Sequence, residues 1–178
     1  VSLEKKSAYE AVYRPSGQDL TFSMLGALGL IAGCVLSFRG SIAQMLVSLL
    51  GLLAGLSLGA GAVLRWKAKK PSAAFSVFVV LFYVAKLFRD FRHWEINPAI
   101  LDYCFSLFAM IAFMLASYHA GAFSFERGAR RRLAFYSLLG VLFGAISLAG
   151  AQLPELLIYA GSVFWMLACA QQMLRRSV

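Results

Sequence analysis

The chain has 178 residues, of which 61% are hydrophobic, and its formal net charge at pH 7 is +9. Soluble domains usually contain about 45–50% apolar residues, so this composition excludes an ordinary soluble helix bundle. Helices that are apolar on every side are either deeply buried or surrounded by lipid, and a protein of this size cannot bury six of them. The sequence therefore predicts an all-α integral membrane protein.

Six apolar stretches are each long enough to cross a bilayer as a helix, which takes about 20 residues. They lack the period-two alternation of membrane β-strands, so we expect a compact bundle of six transmembrane helices. A polar segment, residues 1–19, precedes the transmembrane domain at 20–174, and 175–178 form a short tail. The opening segment does not have the pattern of a signal peptide. The predicted spans are 20–38, 42–64, 73–90, 99–121, 133–151 and 155–173.

Lysine and arginine are distributed unevenly between the two sides of such a bundle. Three lie in the N-terminal segment, four after the second span, four after the fourth and two in the tail, which makes thirteen on one side. The other side has one after the first span, three around the third link and none in the fifth link, which makes four. The positive-inside rule therefore predicts a plasma-membrane protein with both termini in the cytoplasm. The basic loops also suit anionic lipid headgroups, so we expect a lipid bilayer as partner and no nucleic acid.

Small residues recur at four-residue spacing on three of the predicted spans. In lipid, such faces let helix backbones approach closely, and this close packing drives helix association. The faces are predicted either to pack within the bundle or to dock a separate membrane partner. They comprise Gly29 and Gly33 on the first span, Gly51, Gly55 and Gly59 on the second, and Gly140 and Gly144 on the fifth.

The end of the third span carries the best candidate for a functional site. Charges of both signs occur there, on the side where lysine and arginine are otherwise scarce. A charge inside a bilayer is costly unless it is paired, so such residues normally face protein or water. The candidate binding residues are Lys86, Arg89, Asp90, His93, Glu95 and Asp102, joined by Glu155 from the fifth link.

Helical spacing places four of these residues on one stripe of the third span: Lys86, Arg89, Asp90 and His93. The turn at Asn97-Pro98 returns the chain at once, so we expect Lys86 and Asp102 to form an ion pair within the membrane. In the alternative interpretation, Lys86 extends to the membrane surface, while Asp90 and Glu95 form ordinary interfacial ion pairs.

Sequence motifs give little indication of catalysis or of metal binding. The chain has no zinc-protease motif, no G-x-S-x-G and no P-loop. His93 and Glu95 are two residue types that bind metals, but without a second His or Cys nearby they give a weak zinc signal. The three cysteines are widely spaced and form no redox or metal motif. We therefore predict no catalytic residue, no metal and no cofactor, and we keep an enzyme only as a secondary alternative.

Two functions fit these features best. The first is a transporter, or a substrate-binding membrane subunit, with an outer site between spans three, four and six for a small polar, zwitterionic or anionic ligand. The second is a non-catalytic scaffold or assembly subunit that docks a partner through its Gly-rich faces. In size, span number, cytoplasmic termini and Gly-rich early helices, the chain resembles the substrate-binding subunits of energy-coupling-factor vitamin transporters, although it matches none of their residue motifs. That resemblance implies that the Gly-rich first helix docks a coupling subunit.

Overall fold

The computed structural model describes residues 16–38, 41–94, 100–125 and 127–174, apart from the side chains of residues 93, 94 and 100–102. Within these ranges the chain is helical, has no strand and contains six long helices joined by short links. The helices are α1 (Gly17–Leu36), α2 (Ile42–Trp66), α3 (Ala73–Trp94), α4 (Ile100–Ala122), α5 (Arg130–Leu148) and α6 (Leu153–Leu174), with a 3-10 turn at Phe123–Phe125.

Five of these helices are long and apolar enough to cross a membrane, namely all except α3. The predictions of an all-helical chain and of several helices apolar enough to cross a membrane are therefore confirmed. Many large apolar side chains, such as Leu28, Leu56 and Phe135, stay exposed on the helices, as expected for a surface that meets lipid. The remaining helix, α3, has four charged residues between Lys86 and Arg92.

The helices begin and end within a few residues of the predicted spans. The predicted spans begin where the apolar residues begin, whereas two helices of the structure begin a few residues earlier, in polar sequence. Thus α1 begins at Gly17 and includes Asp19, and α5 begins at Arg130. At its other end α5 stops at Leu148, because a turn forms at Ala149 and Gly150.

Each helix packs against the next one along the chain, and α6 packs back against α1, so the six helices form a closed ring. The α1–α2 link, the C-terminal end of α3 and the α5–α6 link lie together at one end, which we call the Arg89 end. The α2–α3 and α4–α5 links meet at the opposite end, the Arg65 end, where the Ser124 hydroxyl donates to the Pro71 carbonyl at 3.3 Å.

The ring closes where α1 and α6 approach each other through glycine. A Cβ atom added to Gly29 would lie 2.8 Å from the Cα atom of Gly161, which is too close for any side chain. One turn along α1, Gly33 faces Ile158 and the carbonyl of Pro154 in the same way. In lipid, helices associate through such close backbone contact. The Gly face of α1 is therefore covered by a helix of the same chain.

The other predicted Gly faces also meet neighbouring helices of the ring. The neighbours are Cys34 and Phe82 for Gly51, Ile31 for Gly55, Ala27 for Gly59, Phe113 for Gly140, and Val163 and Phe113 for Gly144. These surfaces are occupied within the chain and are not open for docking. The docking of a coupling subunit that the resemblance implies would need another face of α1.

We expect Gly29→Ala to lower the free energy of unfolding by about 1–3 kcal/mol, the usual cost of overpacking. The new methyl group would meet the backbone of α6 at Gly161. The matched control is Gly61→Ala on α2, where nothing lies within 4 Å of an added Cβ atom. This control should be neutral or stabilising, because Gly inside a helix costs about 0.5–1 kcal/mol relative to Ala. Equilibrium unfolding in detergent micelles measures both, and equal stability of the two variants would contradict the α1–α6 contact.

Candidate functional site

A cavity of about 1450 Å³ opens at the Arg89 end of the ring, and none of its described lining residues belongs to α1. Its volume exceeds the roughly 300–1,000 Å³ of typical ligand pockets, so it has room for a small molecule together with water. Apolar side chains, mostly on α2, form part of the wall, and aromatic, polar and charged side chains form much of the remainder. The polar and charged lining residues include Gln44, Arg89, Arg92, Ser106, Gln152, Glu155 and Tyr159.

Next to the cavity wall, Lys86 and Asp90 form a buried ion pair within α3. The Lys86 Nζ atom donates to Asp90 Oδ2 at 2.6 Å, and the two side chains are only 1% and 5% exposed. Residues four apart lie on the same side of a helix, so this pair needs no other element to bring it together. The Lys86 Nζ atom also lies 5.9 Å from the centroid of the Tyr159 ring on α6, within the range of a cation–π interaction. Both partners therefore compensate for the burial of the ammonium group.

Arg89 connects this buried pair to the cavity. Its Nη2 atom lies 2.9 Å from Asp90 Oδ1 and 3.9 Å from Glu155 Oε1. Glu155 lies in the first turn of α6, where the helix dipole favours a carboxylate. The side chains of Arg89 and Glu155 are 27% and 43% exposed, so both are accessible from the cavity, whereas Asp90 is enclosed. The four side chains form a series of alternating charge in the order Lys86, Asp90, Arg89 and Glu155.

The structure gives Lys86 a partner that the sequence pattern did not pair with it, because Asp90 lies against the Lys86 ammonium group. The predicted pairing of Lys86 with Asp102 involves a side chain outside the described residues and stays a prediction. The interpretation of Asp90 as half of an ordinary surface pair is wrong, because the residue is 4% exposed. Of the other candidates, Glu95 lies outside the described residues, as do the side chains of His93 and Asp102.

A second ion pair, at the Arg65 end, was not predicted. The Arg65 Nε atom lies 3.7 Å from Asp19 Oδ2, and its Nη2 atom donates to the Ser23 hydroxyl at 3.2 Å. The sequence pattern assigns Asp19 to the polar opening segment and treats Arg65 as a topology signal. Because α1 begins at Gly17, Asp19 instead lies inside a helix and is buried. An acid at the start of one span and a base at the end of the next meet in an antiparallel pair, and this signal could have revealed the contact.

Three buried aromatic side chains close the centre of the ring below the cavity: Phe82, Tyr83 and Phe113. The Tyr83 ring centroid lies 5.2 Å from that of Phe82 and 5.5 Å from that of Phe113. The Tyr83 hydroxyl donates to the Ser162 hydroxyl at 2.8 Å, so this serine is engaged in packing. Beyond this aromatic layer lies a recess of about 40 Å³, lined by Arg65 and Trp165 among others. The aromatic layer thus separates a wide cavity from a small recess nearer the Arg65 end.

Other groups in the described part of the chain do not form a recognisable reactive centre. No cluster of three or more His, Cys, Asp or Glu side chains among these residues could hold a metal ion. Cys34, Cys104 and Cys169 are free thiols. The chain matches no protein-family model, and no curated protein or solved structure shows significant similarity to it. Function must therefore be argued from the site itself.

We expect Asp90→Asn to lower the free energy of unfolding more than Lys86→Met does. Without the Asp90 carboxylate, the buried Lys86 loses the group that compensates its charge, whereas in Lys86→Met the carboxylate keeps Arg89 as its partner. Breaking a buried pair so that one charge is left behind usually costs about 3–5 kcal/mol. We expect a loss in this range for Asp90→Asn and a clearly smaller one for Lys86→Met.

The double variant Lys86→Met with Asp90→Asn completes a thermodynamic cycle for this pair. It should be more stable than Asp90→Asn alone, because the uncompensated ammonium group is removed as well. Denaturant unfolding in micelles measures all three variants. If Lys86→Met were as unstable as Asp90→Asn, the idea that Arg89 alone can hold the carboxylate would be wrong.

Proposed function

We propose that the chain crosses the membrane six times, with both termini in the cytoplasm and the Arg89 end outside. An even number of antiparallel helices brings both termini to the Arg65 end, where Gln171 donates to the Gln18 side chain at 3.0 Å. In the sequence, thirteen of the 17 lysine and arginine residues belong to the segments that this topology assigns to the cytoplasmic side, as the positive-inside rule requires. The charges of α3 do not prevent it from spanning, because Lys86 and Asp90 neutralise each other inside the ring.

Within this topology, the protein binds a small polar ligand in the cavity and acts as a transporter or as the substrate-binding subunit of one. The observation that carries this proposal is the accessible Arg89–Glu155 pair on the wall of a large cavity. Ionisable groups are costly within a membrane and usually mark a path or site for a ligand or ion. The aromatic layer adds support, because a carrier needs a site that is open to one side and closed to the other.

The two alternatives receive less support. A scaffold that docks partners through Gly-rich faces would need those faces exposed, whereas Gly29, Gly33, Gly51 and Gly55 closely approach helices of the same chain. For an enzyme, the most deeply buried carboxylate near the cavity, Asp90, is held between two cations and is poorly placed to exchange a proton with a substrate.

The topology predicts that residues at the two ends of the ring react from opposite sides of the membrane. In a variant whose three native cysteines are replaced by Ala, Gln152→Cys should react with a membrane-impermeant maleimide in intact cells. Lys69→Cys, in the α2–α3 link, should react only after the cells are permeabilised. Labelling of both positions in intact cells, or of Lys69→Cys alone, would contradict the proposed orientation.

A thermal-shift screen of vitamins, nucleobases and amino acids tests whether the cavity binds a ligand. A ligand at one hundred times its Kd stabilises a folded protein by about 2.7 kcal/mol, so at least one compound should raise the melting temperature clearly. Ala151→Trp should reduce or abolish this shift, because Ala151 lines the cavity and the new indole ring would occupy the space next to the α5–α6 link. The matched control is Leu153→Trp, whose side chain is exposed and does not line the cavity. If no compound distinguished Ala151→Trp from the control, ligand binding in the cavity would be ruled out for these classes.

A further inference from the structure

Arg89 and Glu155 form the loosest of the three contacts in the charge series. The 2.9 Å contact of Arg89 with Asp90 is a charge-assisted hydrogen bond, whereas the 3.9 Å contact with Glu155 is beyond hydrogen-bonding distance. A guanidinium group has five N–H donors, and a carboxylate has two acceptor oxygens. Both groups therefore keep hydrogen-bonding capacity on the side that faces the cavity. A ligand can separate them without disturbing the buried pair of Lys86 and Asp90.

The charge balance decides what such a ligand must carry. Lys86, Asp90 and Arg89 together have one excess positive charge, which Glu155 compensates. An anionic ligand that displaced Glu155 from Arg89 would leave the Glu155 carboxylate without its cation. A cationic ligand that paired with Glu155 would leave the excess charge of the other three uncompensated. A ligand that brings one charge of each sign compensates both of these described groups at once.

The short distance between Arg89 and Glu155 also sets the spacing of the ligand's two charged groups. The Arg89 Nη2 and Glu155 Oε1 atoms lie 3.9 Å apart. A ligand whose carboxylate and ammonium groups are attached to the same carbon atom, as in an α-amino acid, can therefore reach both side chains with little movement. Part of the cavity wall is apolar and includes Leu46, Val47 and Leu50 on α2. Because burial of apolar surface is favourable, an apolar body would add affinity there.

We infer that the cavity binds an apolar α-amino acid or a similar compact zwitterion, with the carboxylate on Arg89 and the ammonium group on Glu155. This inference rests on the proposed function, since it names the ligand class of the same cavity. Arg89 is the cavity-lining arginine that contacts both Asp90 and Glu155, so we assign the ligand's carboxylate to it.

Matched sets of probes test the requirement for both charges. L-Leucine carries both, L-leucinamide lacks the carboxylate, and 4-methylpentanoate lacks the ammonium group; L-phenylalanine, its amide and 3-phenylpropanoate form a second set. Binding is measured by calorimetry on the full chain in nanodiscs. At least one zwitterion should bind about tenfold or more tightly than both of its singly charged relatives. The reason is that hydrogen bonds to charged groups are worth about 1.5–3 kcal/mol. Equal binding of a zwitterion and a relative would overturn the inference.

Three variants separate the two charged contacts. Glu155→Gln changes an exposed side chain and should weaken leucine about tenfold. It should not weaken 4-methylpentanoate, which no longer has to displace a carboxylate from Arg89. Arg89→Lys keeps a cation beside Asp90 but loses the two-pronged donor, so it should weaken both carboxylates and spare leucinamide. The matched control is Arg131→Gln, which changes an exposed arginine at the start of α5 that does not line the cavity, and it should change none of the affinities. Unchanged leucine binding in Glu155→Gln, or an equal loss in Arg131→Gln, would overturn the inference.

Failure of this inference and failure of the proposed function have different signatures. If neither probe set bound while another class of compound still stabilised the wild type and not Ala151→Trp, the zwitterion would be wrong and the ligand-binding cavity would stand. If no compound of any class acted through the cavity, both would be wrong.

Discussion

The close approach of α1 and α6 at Gly29 and Gly161 closes the ring, and the position of the α6 side chains near the cavity depends on it. Lipid offers no hydrophobic force to bring helices together, so contact between backbones must do so. Tyr159 and Glu155 lie on α6, within two turns of Gly161, and the contact therefore fixes where they face α3. Since α1 contributes no described residue to the cavity, its role there is to hold α6 in place.

The charge series divides into a fixed part and an adjustable part. Lys86 and Asp90 are almost inaccessible, and their attraction acts in a region of low dielectric constant, where separating them would be expensive. Glu155 is partly exposed, so water screens its attraction to Arg89 and the two can separate at low cost. Arg89 belongs to both parts. A rigid anchor next to a replaceable counter-ion is the arrangement that a reversible binding site requires.

The sequence was sufficient to predict the helices but not to predict the contact that closes them into a ring. Apolar stretches and their lengths predict the helices, because a bilayer demands both. The contact between α1 and α6 could not be derived, since several spans carry similar small residues and nothing in the chain says which faces pair. The same limit explains why Asp19 and Arg65 were missed, since their contact follows from the packing of α1 against α2.

Some residues of the candidate site could be predicted from the sequence, and others could not. The sequence pattern grouped Lys86, Arg89 and Asp90 by helical spacing, and the predicted order of the spans put Glu155 at the same end of the bundle, where it lies near Arg89. The Lys86–Asp90 pair was missed because a chain reversal was given more weight than the i, i+4 neighbour on the same helix. The apolar α2 wall of the cavity gave no signal, because side chains such as Leu46 and Leu50 look like any others that face lipid.

The location of Lys86 and Asp90 on one helix also has a consequence for biogenesis. A membrane helix enters the bilayer before its neighbours have assembled around it, and lone charges at its centre oppose that step. The Asp19–Arg65 contact cannot form until α1 and α2 have met. The Lys86–Asp90 contact can form as soon as α3 becomes helical, so in the proposed six-span topology α3 would enter the membrane with these ammonium and carboxylate groups already neutralising each other. In that topology the pair would need no later helix to neutralise it.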